Sequence, residues 1–220
     1  MLLALLLLAP LARGQPSYCR LDRPDLGVTF DLSSVPGPQL FTDSRGEGSD
    51  PWTYSISLCA NQSTASLPAA CLATTNDDSS PDPLAGAPGP AFQYGSNFCK
   101  RLGDAVDNGV LSVLGGGGGG TRDNRGYARG LMLNYTSGNL CYSPSGGSGL
   151  GAYVPRKVTL VLECHTGAIN LGTALVLEDT ACEYYVIAKS SLGCPTQCGT
   201  SRDGPCNRRG ICGYDATNGP

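Results

Sequence analysis

The chain has 220 residues, a formal net charge of -3 and a sequence pI near 5.0. That length suits one sizeable core, or one domain plus a small module. Without a basic surplus, nucleic-acid binding has no electrostatic support. Charged residues make up 15%, while 31 glycines and 16 prolines punctuate the chain, which favours a loop-rich all-β protein over a helical one.

The first residues, MLLALLLLAPLARG, form a short apolar run, then a proline and small residues. The run falls far below the roughly 20 apolar residues of a spanning helix, so residues 1–14 are expected to be a signal peptide. No later segment is apolar enough to cross a bilayer as a helix. The protein is expected either to be soluble in the secretory lumen or to be anchored by a segment beyond this chain's end.

Short runs of alternating polarity follow, as half-buried strands require. VTFDL sets Val28, Phe30 and Leu32 on one face, and TYSISLC sets out Tyr54, Ile56 and Leu58 likewise. GLMLNY aligns Leu131, Leu133 and Tyr135. RKVTLVLEC is the longest, with Val158, Leu160, Leu162 and Cys164 in one row. Turn residues separate these runs, and the predicted fold is an antiparallel sandwich or flattened barrel. NDDSSPDPLAGAPGP has no periodicity and reads as a loop between Cys71 and Cys99. The glycine run 115–120 lacks the Lys-Ser/Thr of a phosphate loop and reads as a hairpin tip.

Eleven cysteines, with a leader, point to an oxidising compartment and disulfides. One histidine, His165, and the lack of any CxxC pair leave a metal site without support. No cofactor is expected. Asn61 and Asn134 head glycosylation sequons. No nucleophile elbow occurs, and no carboxylate pair is placed to flank a scissile bond, so an enzyme is not expected.

The cysteine spacing and strand pattern from residue 17 to 194 resemble the mannose 6-phosphate receptor homology domain. Arg156 stands eight residues before Cys164. Glu178 stands four before Cys182, Tyr184 two after it, and Cys194 ten beyond Tyr184. The resemblance implies the pairings Cys19–Cys59, Cys71–Cys99, Cys141–Cys182 and Cys164–Cys194. It also implies a sugar site in which Arg156, Glu178 and Tyr184 hold hydroxyls. The family's fourth residue is commonly a glutamine after the cysteine that aligns with Cys99. Here that residue is Lys100, followed by Arg101; Gln93 lies nearby but outside the matching position.

The chemistry of such a site can be stated independently. A guanidinium fork donates to two adjacent hydroxyls, a carboxylate accepts from two, and a phenol does either. An Arg156–Glu178 ion pair with Tyr184 as core packing is the competing reading.

Residues 195–220 resemble the start of an epidermal-growth-factor-like module, with Cys198, Cys206 and Cys212 as its first cysteines. A Cys198–Cys212 bridge would follow, and the chain would stop in mid-motif. Two functions stand against each other. One is a lectin-like domain for mannose-type N-glycans, in sorting or quality control along the secretory or endolysosomal route. The other is a non-lectin ectodomain acting as a protein-binding scaffold of a trafficking or surface receptor.

Overall fold

The computed structural model describes residues 17–24, 28–35, 37–43, 51–114, 130–144, 151–165, 174–198, 200–201 and 204–205. The leader, the glycine run, Cys206 and Cys212 fall outside these, and so does the proposed Cys198–Cys212 bridge. Among the described residues no helix is long and apolar enough to cross a membrane.

The strands in chain order are β1 (Arg20–Arg23), β2 (Val28–Asp31), β3 (Pro38–Asp43), β4 (Trp52–Ser57), β5 (Ala91–Tyr94), β6 (Cys99–Gly103) and β7 (Val110–Leu114). Then come β8 (Gly130–Tyr135), β9 (Leu140–Ser143), β10 (Ala152–Pro155), β11 (Lys157–Cys164), β12 (Leu175–Thr180), β13 (Glu183–Ser190) and β14 (Gln197–Cys198). A four-stranded sheet runs β3-β4-β5-β6 and a five-stranded sheet runs β12-β13-β11-β8-β7. Their facing sides share one core, with Tyr54, Ile56, Ala91 and Leu102 from the first and Leu133, Val158, Leu160 and Val186 from the second. Smaller sheets flank them: β1-β2-β14, and the β9–β10 hairpin.

The architecture is a disulfide-stabilised, all-β sandwich, and the described sheets do not close into a barrel. The alternating rows sit where their periodicity requires. Val158, Leu160 and Leu162 are buried, as are Leu131, Leu133 and Tyr135. One pairing departs from the antiparallel expectation: β11 and β13 run parallel, with Val158 opposite Tyr184 and Leu160 opposite Val186. The intervening β12 pairs antiparallel with β13, so β12 carries the chain back along the sheet and the β12–β13 pair sets β13 in parallel beside β11.

Four bridges occur among the described residues: Cys19–Cys59, Cys71–Cys99, Cys141–Cys182 and Cys164–Cys194. These are the four pairings that the resemblance implies. They fit a secreted or lumenal protein, since thiols stay reduced in the cytosol.

Between Cys71 and Cys99 the chain carries one strand, β5, and the preceding loop, residues 74–90, carries none, yet it is not merely tethered. Arg101 on β6 is 1% exposed and organises it. Its guanidinium donates to the carbonyls of Leu84 at 2.6 Å, Ala87 at 2.7 Å and Pro88 at 3.2 Å, with the buried Asp82 carboxylate 3.6 Å from Nε. Phe92 lies beneath, its ring centre 4.9 Å from the guanidinium carbon. Gly89 is required here, because a Cβ on it would collide with the Arg101 Nη1. Replacing Arg101 with methionine strands the Asp82 charge and three carbonyls. That is expected to cost about 3–5 kcal/mol, the range for breaking a buried ion pair from one side. Equilibrium denaturation of Arg101→Met checks it, and a loss under about 1 kcal/mol contradicts this role.

Candidate functional site

At one end of the space between the two large sheets the apolar rows give way to polar side chains. Tyr54 on β4 stands opposite Gln93 on β5, and Gln93 stands opposite Lys100 on β6. Cross-strand partners share a face, so these three form a row across the four-stranded sheet. On the facing sheet, Glu178 on β12 stands opposite Tyr184 on β13. Arg156 enters from the residue before β11, two positions ahead of the inward Val158. The rings of Tyr54 and Tyr184 meet across the gap, centres 5.8 Å apart.

Arg156 is the hub. Its Nη1 donates to the Tyr184 hydroxyl at 2.9 Å. Its Nη2 donates to both Asp77 oxygens, at 2.8 and 2.7 Å. Its Nε is buried with no hydrogen-bond partner among the described residues. The Lys100 ammonium lies 3.0 Å from Asp77 and donates to the Thr75 carbonyl at 2.8 Å. Gln93 donates to the Tyr54 hydroxyl at 2.9 Å.

The three residues Arg156, Glu178 and Tyr184 therefore meet at one place, with Lys100 bridged to them through Asp77. The carboxylate that holds Arg156 is Asp77, which the sequence does not single out. Glu178 has another duty: its Oε1 accepts from the Cys182 backbone N–H at 3.0 Å. Cys182 sits at φ +76°, in the left-handed region that costs a side-chain-bearing residue about 1 kcal/mol or more, and its bridge to Cys141 braces that turn. One carboxylate and one disulfide fix the β12–β13 turn, and the turn aims Tyr184.

Burial divides the members. Arg156, Tyr184 and Gln93 are buried, at 6%, 4% and 3% exposure. Glu178 is exposed, and the Lys100 and Asp77 side chains are partly so, at 18% and 27%. A ligand at the rim reaches Glu178, Lys100 and Asp77 first, with Arg156 behind them.

The electrostatics follow from that placement. Burial pushes the Tyr184 phenol up to about 12, the nearby Arg156 charge opposing it and Glu178 reinforcing it. The phenol therefore stays protonated across the physiological range. For Asp77, burial alone would raise the carboxyl; the hydrogen bond from Lys100, then the charge and hydrogen bonds of Arg156, outweigh it and hold Asp77 below its ordinary value. Formal charges of Arg156, Lys100, Asp77 and Glu178 sum to zero.

The site is positioned by short contacts that sequence reading misses. Asp77 is fixed because its backbone N–H donates to the Leu140 carbonyl at 3.0 Å, while the Asn76 side chain accepts from the Leu140 N–H at 2.7 Å. Asn139 ties the same corner to β6, accepting from the Arg101 N–H at 2.6 Å. Gln93 had a signal, since it alternates onto the same face as Ala91, but Lys100 held the expected slot. Of the two sequons, Asn61 is exposed and accepts from the Val106 N–H at 2.9 Å. Asn134 is half-buried on the outer face of β8.

No protein-family model matches the chain, and no curated protein matches it. Among solved structures the chain is similar to chicken IGF2R domain 11, at 17% identity over 80% of this chain and 90% of that one, with a TM-score of 0.46. At that identity and score nothing about the site carries across, and function rests on this chain's own residues.

The lowered Asp77 value has a definite sign. Its contribution to stability is complete above the ordinary carboxylate value of 3.8 and is lost as pH falls through the lower folded-state value. Denaturation of wild type and Asp77→Asn across pH 2–7 should show a wild-type advantage that is constant above about pH 5 and shrinks below about pH 4. Curves that stay parallel to the acid limit contradict the ion cluster.

Proposed function

We propose that this chain is a lectin-like domain that reads the hydroxyls of mannose-type N-glycans on glycoproteins, within the secretory or endolysosomal lumen, for sorting or quality control. The observation that carries the reading is the convergence of Arg156, Glu178 and Tyr184, joined by Gln93 and Lys100, at the end of the inter-sheet space. A neutral hexose presents hydroxyls in fixed directions and no charge, so its reader needs paired donors and acceptors. Glu178 accepts from hydroxyls at the rim. Lys100 donates there in place of the family's glutamine. Arg156, held by Tyr184, presents the remaining capacity of its fork. Hydrogen bonds to charged groups contribute roughly 1.5–3 kcal/mol each, so two or three suffice for weak, specific binding. The reading is one of binding, with no bond made or broken.

A second reading is favoured by one observation. Asp77 already occupies Arg156, and Tyr184 and Gln93 are almost wholly buried. That is what a fold would show if it kept the polar cluster as a brace and bound a protein partner elsewhere. The chain would then be a scaffold of a trafficking or surface receptor.

An array of N-glycans at neutral and acidic pH separates the two. Wild type should bind mannose-type glycans, and Arg156→Lys and Tyr184→Phe should each weaken binding by about tenfold or more, the loss of one charged hydrogen bond. Both variants keep the side-chain bulk, and their thermal transitions show whether they fold. No binding by wild type, or binding unchanged in Arg156→Lys, overturns the lectin reading.

A further inference from the structure

We infer that Asp77 is the residue that sets the ligand class of this site: it is a built-in anion that neutralises Lys100 and Arg156 and so restricts the site to uncharged, hydroxyl-bearing ligands, excluding phosphomonoesters. The inference rests on reading the cluster as a ligand site, though not on which sugar it takes.

Two cations converge on one carboxylate. Asp77 Oδ1 lies 3.0 Å from the Lys100 ammonium and 2.8 Å from Arg156 Nη2, and Oδ2 lies 2.7 Å from the same Nη2. An ammonium beside a guanidinium is the arrangement that receives a phosphate or sulfate. Here the position is filled from within the chain. A phosphate oxygen making the same contacts would need the space that the Asp77 carboxylate holds.

The occupant is well held. The backbone bond from Asp77 to Leu140, the Asn76 side chain on Leu140, and the Cys71–Cys99 bridge closing the loop all restrict it. A tethered group competes at high effective concentration against a diffusing one, which is why a millimolar anion does not displace it. Charge points the same way. Glu178 stands beside the cluster, so bringing up a dianion meets a carboxylate with no net positive charge to offset the repulsion. The chain could not have filled the position with Asp78, the next residue, whose carboxylate instead accepts from the Ser80 N–H at 2.8 Å.

Neutral hydroxyls face no such exclusion. They can donate to the free lone pairs of Asp77 and Glu178 and accept from the third proton of Lys100. Asp77 thus turns from counter-ion into co-reader when a polyol arrives at the rim.

Titration calorimetry of the full chain with inorganic phosphate, and in parallel with methyl α-mannoside, tests this. Wild type should show no phosphate binding at millimolar concentration. Asp77→Ser, which vacates the position, should gain phosphate affinity by tenfold or more, and Asp77→Ser combined with Lys100→Gln should lose most of that gain. Phosphate binding by wild type as tight as by the variant overturns the inference, and so does a folded Asp77→Ser that gains nothing. Asp77→Asn, which removes the charge while keeping the shape, repeats the comparison where Asp77→Ser does not fold: a gain in phosphate affinity supports the inference, and none overturns it. Loss of mannoside binding throughout, with the phosphate gain intact, would remove the glycan reading and leave Asp77's role standing.

Discussion

Everything at the candidate site depends on keeping one guanidinium charged and aimed while it is 6% exposed. A buried charge without partners is costly, and the Arg156 cluster shows how the chain meets that cost. A phenol from β13 accepts one N–H, and a carboxylate from an irregular loop accepts two. Neither partner is near Arg156 in the chain. The phenol is brought by the parallel β11–β13 pairing, and the carboxylate by a loop closed with a disulfide and pinned to the β9 strand. The fold's unusual features, the parallel pair and the long strandless loop, are thus the two features that make this arginine tenable.

Two arginine-centred networks share the work on opposite sides of β6. Lys100 turns inward to the polar row, while Arg101, the next residue, turns outward beneath the loop. Arg101 gathers the loop by the carbonyls of Leu84, Ala87 and Pro88, and Lys100 meets the far end of the same loop at Thr75 and Asp77. Loop shape and site electrostatics are therefore coupled through adjacent side chains of a single strand. A disulfide-rich chain with a modest core gains from this, because the loop need not build a core of its own.

Much of this was legible in the sequence. Period-two alternation placed Leu131, Leu133, Val158, Leu160 and Leu162 correctly, because one face of each strand has a single dry neighbour to pack on. The grouping of Arg156, Glu178 and Tyr184 came from the resemblance; strand periodicity alone put Arg156 at the head of an apolar row and left an ion pair with core packing as the competing reading. What was not readable lies where geometry is set by backbone hydrogen bonds rather than by pattern. Asp77 and Asp78 are chemically identical and adjacent; only the bond to Leu140 decides which one turns to Arg156. Gln93 was set aside because Lys100 held the expected position, yet a cross-strand pair puts both in one row. The parallel pairing left no trace, because β13 alternates buried and half-exposed positions just as an antiparallel strand does.

The most direct test of the central claim is an NMR titration of the labelled protein with methyl α-mannoside. The account predicts that the Arg156 guanidinium, the Gln93 amide and the Lys100 ammonium shift together, while amides along the outer face of β8 and β11 stay put. Shifts confined to that outer face, or a guanidinium that does not respond while other residues do, would contradict it.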